Sequence, residues 1–525
     1  MRTYLFILLY ALLLMACKHA IPQSEYWVFF KDKEGVEFRP SEYFDSKTID
    51  RRKAQGISVN QSTDRPVSQD YIDEIEQYAK QIHSISRWLN AVKIKIDEKQ
   101  VKALNSLSFI DSVKMVNQHL AHNHSMRDSL SSLASGDESL INRQLDHFQG
   151  GLFKEEGVDG SGVRIAVFDA GFANVQESKF FRHLFDNNKI KATYDFVRNE
   201  EDVFHRSSHG TMVLSCLTGQ YEDRQLGLAT GAEFLLARTE HAHFEPFSEE
   251  ENWVEALEWA EKNGADIITS SLGYTNKRYF KEDMDGSTSL VAKVAKMALS
   301  KGLLVIVSVG NEGSSKWKVL STPADVDSVV SVGGLNPNTR LHTSFSSFGP
   351  NANMFLKPTL TAFGHVIAES PTGLTRVQGT SFSAPLVAGF AACVWQMYPE
   401  WSNMKLFEAL CASGDLYPYY DYAHGYGVPQ ASYFLDSKRL TLKNNFFLNV
   451  RKKRAVVRIQ KKAKPGSNYF PYMFYHITDE ENHLKEYAVI DPQGADTVNI
   501  DLKTKYSGHL LRVFYAGEIR EIPVP

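Results

Sequence analysis

The sequence predicts a three-layer α/β fold with a mostly parallel sheet, preceded by a small α+β unit and followed by a small all-β unit. Three observations predict it. Between about residues 140 and 435, apolar runs alternate with amphipathic stretches, the pattern of a parallel sheet covered on both faces. Upstream of that region, strand-like and helix-like stretches mix without such regularity; downstream, only strand-like runs recur. At 525 residues the chain also exceeds the usual size of one core, so several domains are expected.

The elements follow in chain order. Arg2 precedes an apolar run, Tyr4 to Ala16, too short to span a bilayer as a retained helix. A basic start, a short apolar core and small residues before a cut describe a secretory signal over residues 1–16. Leu14-Met15-Ala16-Cys17 resembles the bacterial lipobox, in which the peptide is cut before the cysteine and the new terminus is lipidated. That resemblance implies lipidation of Cys17 and an exported protein, in the periplasm or at the cell surface, anchored to a membrane. The alternative is a plain signal peptide with a chance cysteine.

Residues 24–118 form the α+β unit. Tyr26–Phe30, Ala91–Ile96 and Val113–Val116 read as strands, and Tyr71–Ile82 and Glu98–Leu107 as helices. A polar stretch without periodicity makes residues 119–138 a linker. Residues 139–438 carry the α/β domain: strands Val163–Phe168, Phe234–Ala237, Asp266–Thr269 and Leu303–Val307, with helices over Asn252–Lys262 and Leu290–Ser300. Residues 440–525 form the β unit, with strands Phe446–Val450, Ala455–Ile459, Thr497–Ile500 and Leu511–Tyr515.

Composition is that of a globular protein, 43% hydrophobic and 23% charged, with a formal net charge of -4. No nucleic-acid partner is implied, since that would need a clustered basic surface. The run Arg451–Arg454 reads as a charged hairpin end. Beyond Cys17, the cysteines are Cys216, Cys393 and Cys411, an odd number. Three buried thiols are the favoured reading, with one Cys393–Cys411 bridge as the alternative. No metal site is assigned. His241 and His243 lack a third ligand, and Asp283-Met284-Asp285-Gly286-Ser287 lacks the later Glu of a calcium loop, so it reads as a turn and helix cap.

In parallel sheets, chemistry gathers beyond the carboxyl ends of the strands. The strand ending at Phe168 runs into Asp169-Ala170-Gly171. Ser208-His209-Gly210-Thr211 opens an apolar helical stretch, and Gly379-Thr380-Ser381-Phe382-Ser383-Ala384-Pro385 precedes a helix over Leu386–Met397, with Pro385 in its first turn. The order Asp, His, Ser is one known solution for a nucleophilic triad. A serine hydroxyl needs a base, which His209 supplies, and Asp169 fixes the imidazole tautomer. A helix N-terminus at Ser381 favours a developing oxyanion.

These three blocks resemble the signatures of the subtilisin family (subtilases). The serine block matches the familiar Gly-Thr-Ser-Met-[Ser/Ala]-[Ala/Thr]-Pro except for Phe382 in place of Met. The aspartate block departs at Ala170, where the family commonly has Ser or Thr supporting the aspartate. Val307–Gly313 resembles the family's Ala-Gly-Asn segment and implies Asn311 as oxyanion donor. Ser271-Leu272-Gly273 and Ser308-Val309-Gly310 resemble the segments that hold an extended polypeptide substrate. The resemblance covers Gly162–Gly427 and implies a subtilisin-like fold and a serine endopeptidase, with no cofactor required for chemistry. Structural calcium is common in the family, but no residues here place it. The first unit is placed and sized like a subtilase propeptide, an intramolecular inhibitor cut off within Asn117–Gly136. Two rival readings are a subtilase-fold binding protein without turnover, and an esterase or peptide ligase using the same triad.

Overall fold

A computed structural model describes residues 23–116, 131–132, 137–241, 246–435, 444–451, 453–462 and 471–525. The signal segment, Cys17, His243, Lys452 and most of the linker lie outside the described residues. The chain divides into two compact units: one of residues up to Tyr43 with Ser58–His119, the other of Phe44–Ile57 with Leu120–Pro525.

In the first unit, β1 (Gln23–Phe30), β2 (Gln81–Ser86), β3 (Ala91–Asp97) and β4 (Ile110–Met115) form an antiparallel sheet of order β2-β3-β1-β4. Val28, Val92, Ile94 and Ile96 alternate or cluster on the buried face, and Ile72, Ile75 and Leu104 from two helices join their core. The helix expected over Tyr71–Ile82 stops at Glu76. Beyond it, Gln81–Ser86 pairs along β3, because an edge offering unpaired backbone groups outweighs a weak helical period.

The second unit contains α1 (Ser46–Ala54), a stretch expected in the first unit but grouped by its contacts with the second. Its centre is a seven-stranded parallel sheet: β5 (Arg164–Asp169), β6 (Ile190–Asp195), β7 (Glu233–Arg238), β8 (Ile267–Ser270), β9 (Leu304–Ser308), β10 (Val330–Leu335) and β11 (Leu360–Phe363). Their order is β11-β10-β9-β8-β5-β7-β6. Most strands are buried at successive residues, so both faces are covered. The helices covering them include α2 (His209–Thr218), α3 (Ser248–Lys262), α4 (Leu290–Ser300) and α5 (Thr380–Met397). From β5 the chain runs out to the edge strand β6, returns to β7 beside β5, then crosses to β8 on the other side. The β5–β8 junction is therefore the topological switch point, where a crevice opens beyond the carboxyl ends.

Downstream, strands at 446–451, 454–459 and 497–501 form one antiparallel sheet; those at 473–478, 484–490, 510–515 and 518–523 form another. Phe446, Val457, Met473, Ile477, Leu511 and Val513 share one core, which makes the pair a β-sandwich. Arg451 faces Arg454 at a hairpin end. Cys216, Cys393 and Cys411 are free and buried, which settles the pairing in favour of thiols.

Candidate active site

β5 delivers Asp169 to the switch point, fully buried. Its Oδ1 accepts from the Ala170 backbone N–H at 2.7 Å and lies 2.7 Å from His209 Nδ1. The imidazole therefore donates through Nδ1, which leaves Nε2 as the basic nitrogen. Asp169 Oδ2 is buried and has no hydrogen-bond partner among the described residues. Ala170, where the resemblance expects a hydroxyl supporting the aspartate, offers Asp169 only its backbone N–H.

His209 opens α2, pressed against the end of β5. A Cβ at Gly210 would stand 2.5 Å from the Gly171 carbonyl oxygen and 3.0 Å from Asp169 Cβ, so only glycine allows the approach. On its other side the imidazole packs against the buried Phe382 ring, with centroids 5.6 Å apart.

Ser381 lies in the first turn of α5, which begins at Thr380 rather than at Leu386. Pro385 is therefore in the second turn, and it cannot donate to the Ser381 carbonyl as a helical residue there normally would. Ser271 Oγ donates to that carbonyl instead, at 2.8 Å. In return, the Ser381 hydroxyl donates to the Ser271 carbonyl at 3.3 Å. Two serines thus tie the end of β8 to the start of α5.

Asn311 follows β9. Its Oδ1 accepts from both the backbone N–H and the hydroxyl of Thr380, each at 2.9 Å. This fixes the amide so that its NH2 edge, 3.6 Å from a Cβ built on Gly379, turns toward the serine loop. Gly379 itself has φ 148°, a backbone angle that other residues rarely take.

The two predicted substrate segments differ. Leu272 and Gly273 make no backbone–backbone hydrogen bond among the described residues, so they present an open edge beside Ser381. Val309 uses both backbone groups internally, with Val332 and Ser321, and the Gly310 carbonyl accepts from Ser347. The segment 308–310 therefore forms a wall rather than a pairing edge. Between the two segments lies Ser321, whose Oγ would be 2.1 Å from a Cβ at Gly273 and 3.2 Å from one at Gly310. Sequence reading missed Ser321, the orienting role of Thr380 and the use of the Ser271 hydroxyl. The last two sit inside recognised motifs, but only the fold reveals their partners.

Among the described residues, two clusters have metal-ligand composition: Asp195, Glu200 and His205, and Asp479, Glu481 and His483. In each the chain's own cation already occupies a carboxylate. Arg238 Nη1 is 2.7 Å from Asp195 Oδ2, and Lys485 Nζ is 2.5 Å from Asp479 Oδ2. Asp285 Oδ1 caps Ser287 and Thr288, and Ser289 caps α4, the turn and cap read from the sequence.

Comparison with known proteins identifies the family. Residues 160–427, just over half the chain, match the subtilase family, and residues 25–131 match the peptidase S8 propeptide domain of Bacteroidota. Subtilisin NAT of Bacillus subtilis subsp. natto is 27% identical over 347 residues, covering 64% of this chain and 79% of the relative. The subtilisin of Bacillus pumilus is 30% identical over 261 residues, covering 49% and 84%. A crystal structure of a cold adapted subtilisin-like serine proteinase aligns with TM-score 0.40 and 22% identity, over 52% of this chain and 88% of that one. The chain belongs to the subtilase family of serine endopeptidases.

Proposed function

We propose that this is an exported endopeptidase, made as a zymogen, that cuts polypeptides through an acyl-enzyme on Ser381. The observation that carries the reading is the 2.7 Å contact between Asp169 Oδ1 and His209 Nδ1, with the imidazole packed against Phe382, the residue next to Ser381. A substrate strand adds to the open edge at Leu272–Gly273, with Ser271 at its base, and Ser308-Val309-Gly310 walls the first side-chain pocket. His209 Nε2 takes the Ser381 hydroxyl proton as Oγ attacks the carbonyl carbon, and Asp169 steadies the imidazolium. The oxyanion is met by the Asn311 amide and by the positive end of α5. Collapse breaks the C–N bond, His209 returns the proton to the leaving amine, and water repeats the sequence to release the acid. No step calls for a cofactor.

Residues 25–131 act as the enzyme's own inhibitor until cleavage within 117–136, a role supported by their match to a propeptide domain. Cys17 is the lipid anchor, on the strength of the lipobox resemblance alone. The second reading, a subtilase-fold binder without turnover, draws on Ala170 and on the Asp169 oxygen left without a partner. A fluorophosphonate probe followed by peptide mapping separates the two. The expected result is one adduct, on Ser381, absent from Ser381→Ala, together with cleavage of a peptide library. A protein that takes up no probe and leaves the library intact would be the binder, and probe uptake with ester but not peptide cleavage would make it an esterase.

A further inference from the structure

The match to the propeptide domain runs unbroken through residues 44–57, yet these residues pack as part of the peptidase unit. From the contacts they make, we infer that Phe44–Ile57 is a retention strap. It holds the N-terminal fragment on the peptidase after the chain is cut, at a surface remote from the catalytic serine. The inference rests on the zymogen reading above for its biological setting.

The strap is α1 with its flanks. Asp45 caps the helix through Lys47 N–H at 2.8 Å, and its own N–H donates to Lys262 O at the end of α3, also at 2.8 Å. Asp45 further pairs with Arg164 at 3.2 Å. Lys47 Nζ reaches Asp266 at 2.9 Å and the Gly162 carbonyl at 2.6 Å. Arg52, wholly buried, donates through Nε to Glu261 Oε1 at 2.7 Å, while Arg51 donates to Glu261 Oε2 and to the Ala265 carbonyl. Glu261 is itself wholly buried. Gln55 closes the far end, donating to Gly302 O at 3.1 Å and accepting from Asn403 N–H at 3.3 Å. Gly302 leaves just enough room: a Cβ there would be 2.8 Å from Gln55 Oε1.

Two properties of this contact decide its role. The first is charge: three cations of the strap meet two carboxylates of the peptidase, and its one capping carboxylate meets Arg164. The pairing is complementary, and around Glu261 it is desolvated, with Arg51 and Arg52 buried beside it, while Asp45 and Lys47 pair at the edge of the contact. The second is position. Arg164 begins β5, Asp266 precedes β8 and Gly302 precedes β9, so the strap lies beyond the amino ends of the strands. Asp169 lies at the other end of β5, about 17 Å away at ~3.3 Å per residue. A strap there does not itself obstruct the crevice.

The test uses the full chain with Ser381→Ala and a recognition site for a sequence-specific protease inserted within residues 117–130. The added protease makes the cut, so the result does not depend on whether the chain is itself a peptidase. After cleavage and dilution, gel filtration should find the N-terminal piece still with the remainder. Arg51→Ala with Arg52→Ala should weaken that association by on the order of 100-fold, since an unpaired buried Glu261 disfavours docking. Gln55→Ala, which leaves the ion pairs intact and so cannot be dismissed as misfolded, should weaken it several-fold. Loss of the piece from the parent chain on dilution, or equal retention by parent and both variants, would overturn the strap.

Discussion

Asp169 presents its two carboxylate oxygens to different surroundings. One is held by the His209 imidazole and the Ala170 N–H, and the other is buried without a hydrogen-bond partner among the described residues. Ala170→Ser should give that oxygen a donor. Because a hydrogen bond to a charged group contributes about 1.5–3 kcal/mol in favourable geometry, kcat should rise while KM stays near its parent value. An unchanged or lower kcat would show that the missing hydroxyl does not limit the aspartate. Asn311 should behave as a group used only when charge develops: Asn311→Ala should lower kcat by about 10²–10³ with little change in KM. Asp325 lies away from the chemistry, and burial pushes its carboxyl up to about 6. The folded state then binds more protons than the unfolded state between pH 4 and 6, so stability is greatest at the acid end and falls as pH rises through 6. Asp325→Asn, compared with its parent in a Ser381→Ala background by denaturant titration, should remove about 1 kcal/mol of the loss seen between pH 5 and 7. Asp415, also raised to about 6 by burial, should preserve a similar slope in both. At this scale the sequence was most informative: Asp169, His209, Ser381 and Asn311 could each be named from motifs at strand ends. The partner of each polar atom could not, because partners such as Thr380 for Asn311 are distant in sequence.

The junction of β8 with α5 shows how an element can be fitted to its neighbour. Pro385 removes the N–H that would serve the buried Ser381 carbonyl, and Ser271 supplies the replacement. Ser271→Ala should therefore destabilise the fold by about 1–3 kcal/mol, the usual effect of leaving a buried acceptor unmet. In a Pro385→Ala background, where the helix can meet its own carbonyl, the same change should have much less effect. A double-mutant cycle by denaturant unfolding reads the difference, and additive losses would contradict the account. Elements were legible where one pattern dominated: the helix over Leu290–Ser300 and the strands that became β5, β7, β8 and β9. β6, β10 and β11 were not read. β6 mixes polar residues along Ile190–Asp195, β11 has only four residues, and β10 contains Gly333 and Gly334. Those glycines weaken any strand signal but are required by close packing: a Cβ at Gly333 would lie 3.1 Å from Thr361, and one at Gly334 3.3 Å from Phe345. Three strands of the β-sandwich, at 473–478, 484–490 and 518–523, also escaped.

For the molecule as a whole, the subtilase fold was foreseen because strand–helix alternation and three ordered motifs pointed to the same architecture. The grouping of residues 44–57 with the peptidase was not, since Lys47, Arg51 and Arg52 look like solvated charges until the fold brings Glu261 and Asp266 to them across some 200 residues of chain. The C-terminal sandwich belongs to the same compact unit as the peptidase sheet, with Tyr419 packed against Phe474 and Phe514. The proposed function requires Asp169, His209 and Ser381 to work as one device rather than as three separate contributors. Residues that act as a unit have strongly non-additive effects. The most direct test is the kcat of Ser381→Ala, His209→Ala and the double variant on one peptide substrate. The account predicts that each single change removes nearly all the activity and that the double is no worse than either. Two independent losses that multiply in the double variant, or a single variant that keeps its activity, would contradict it.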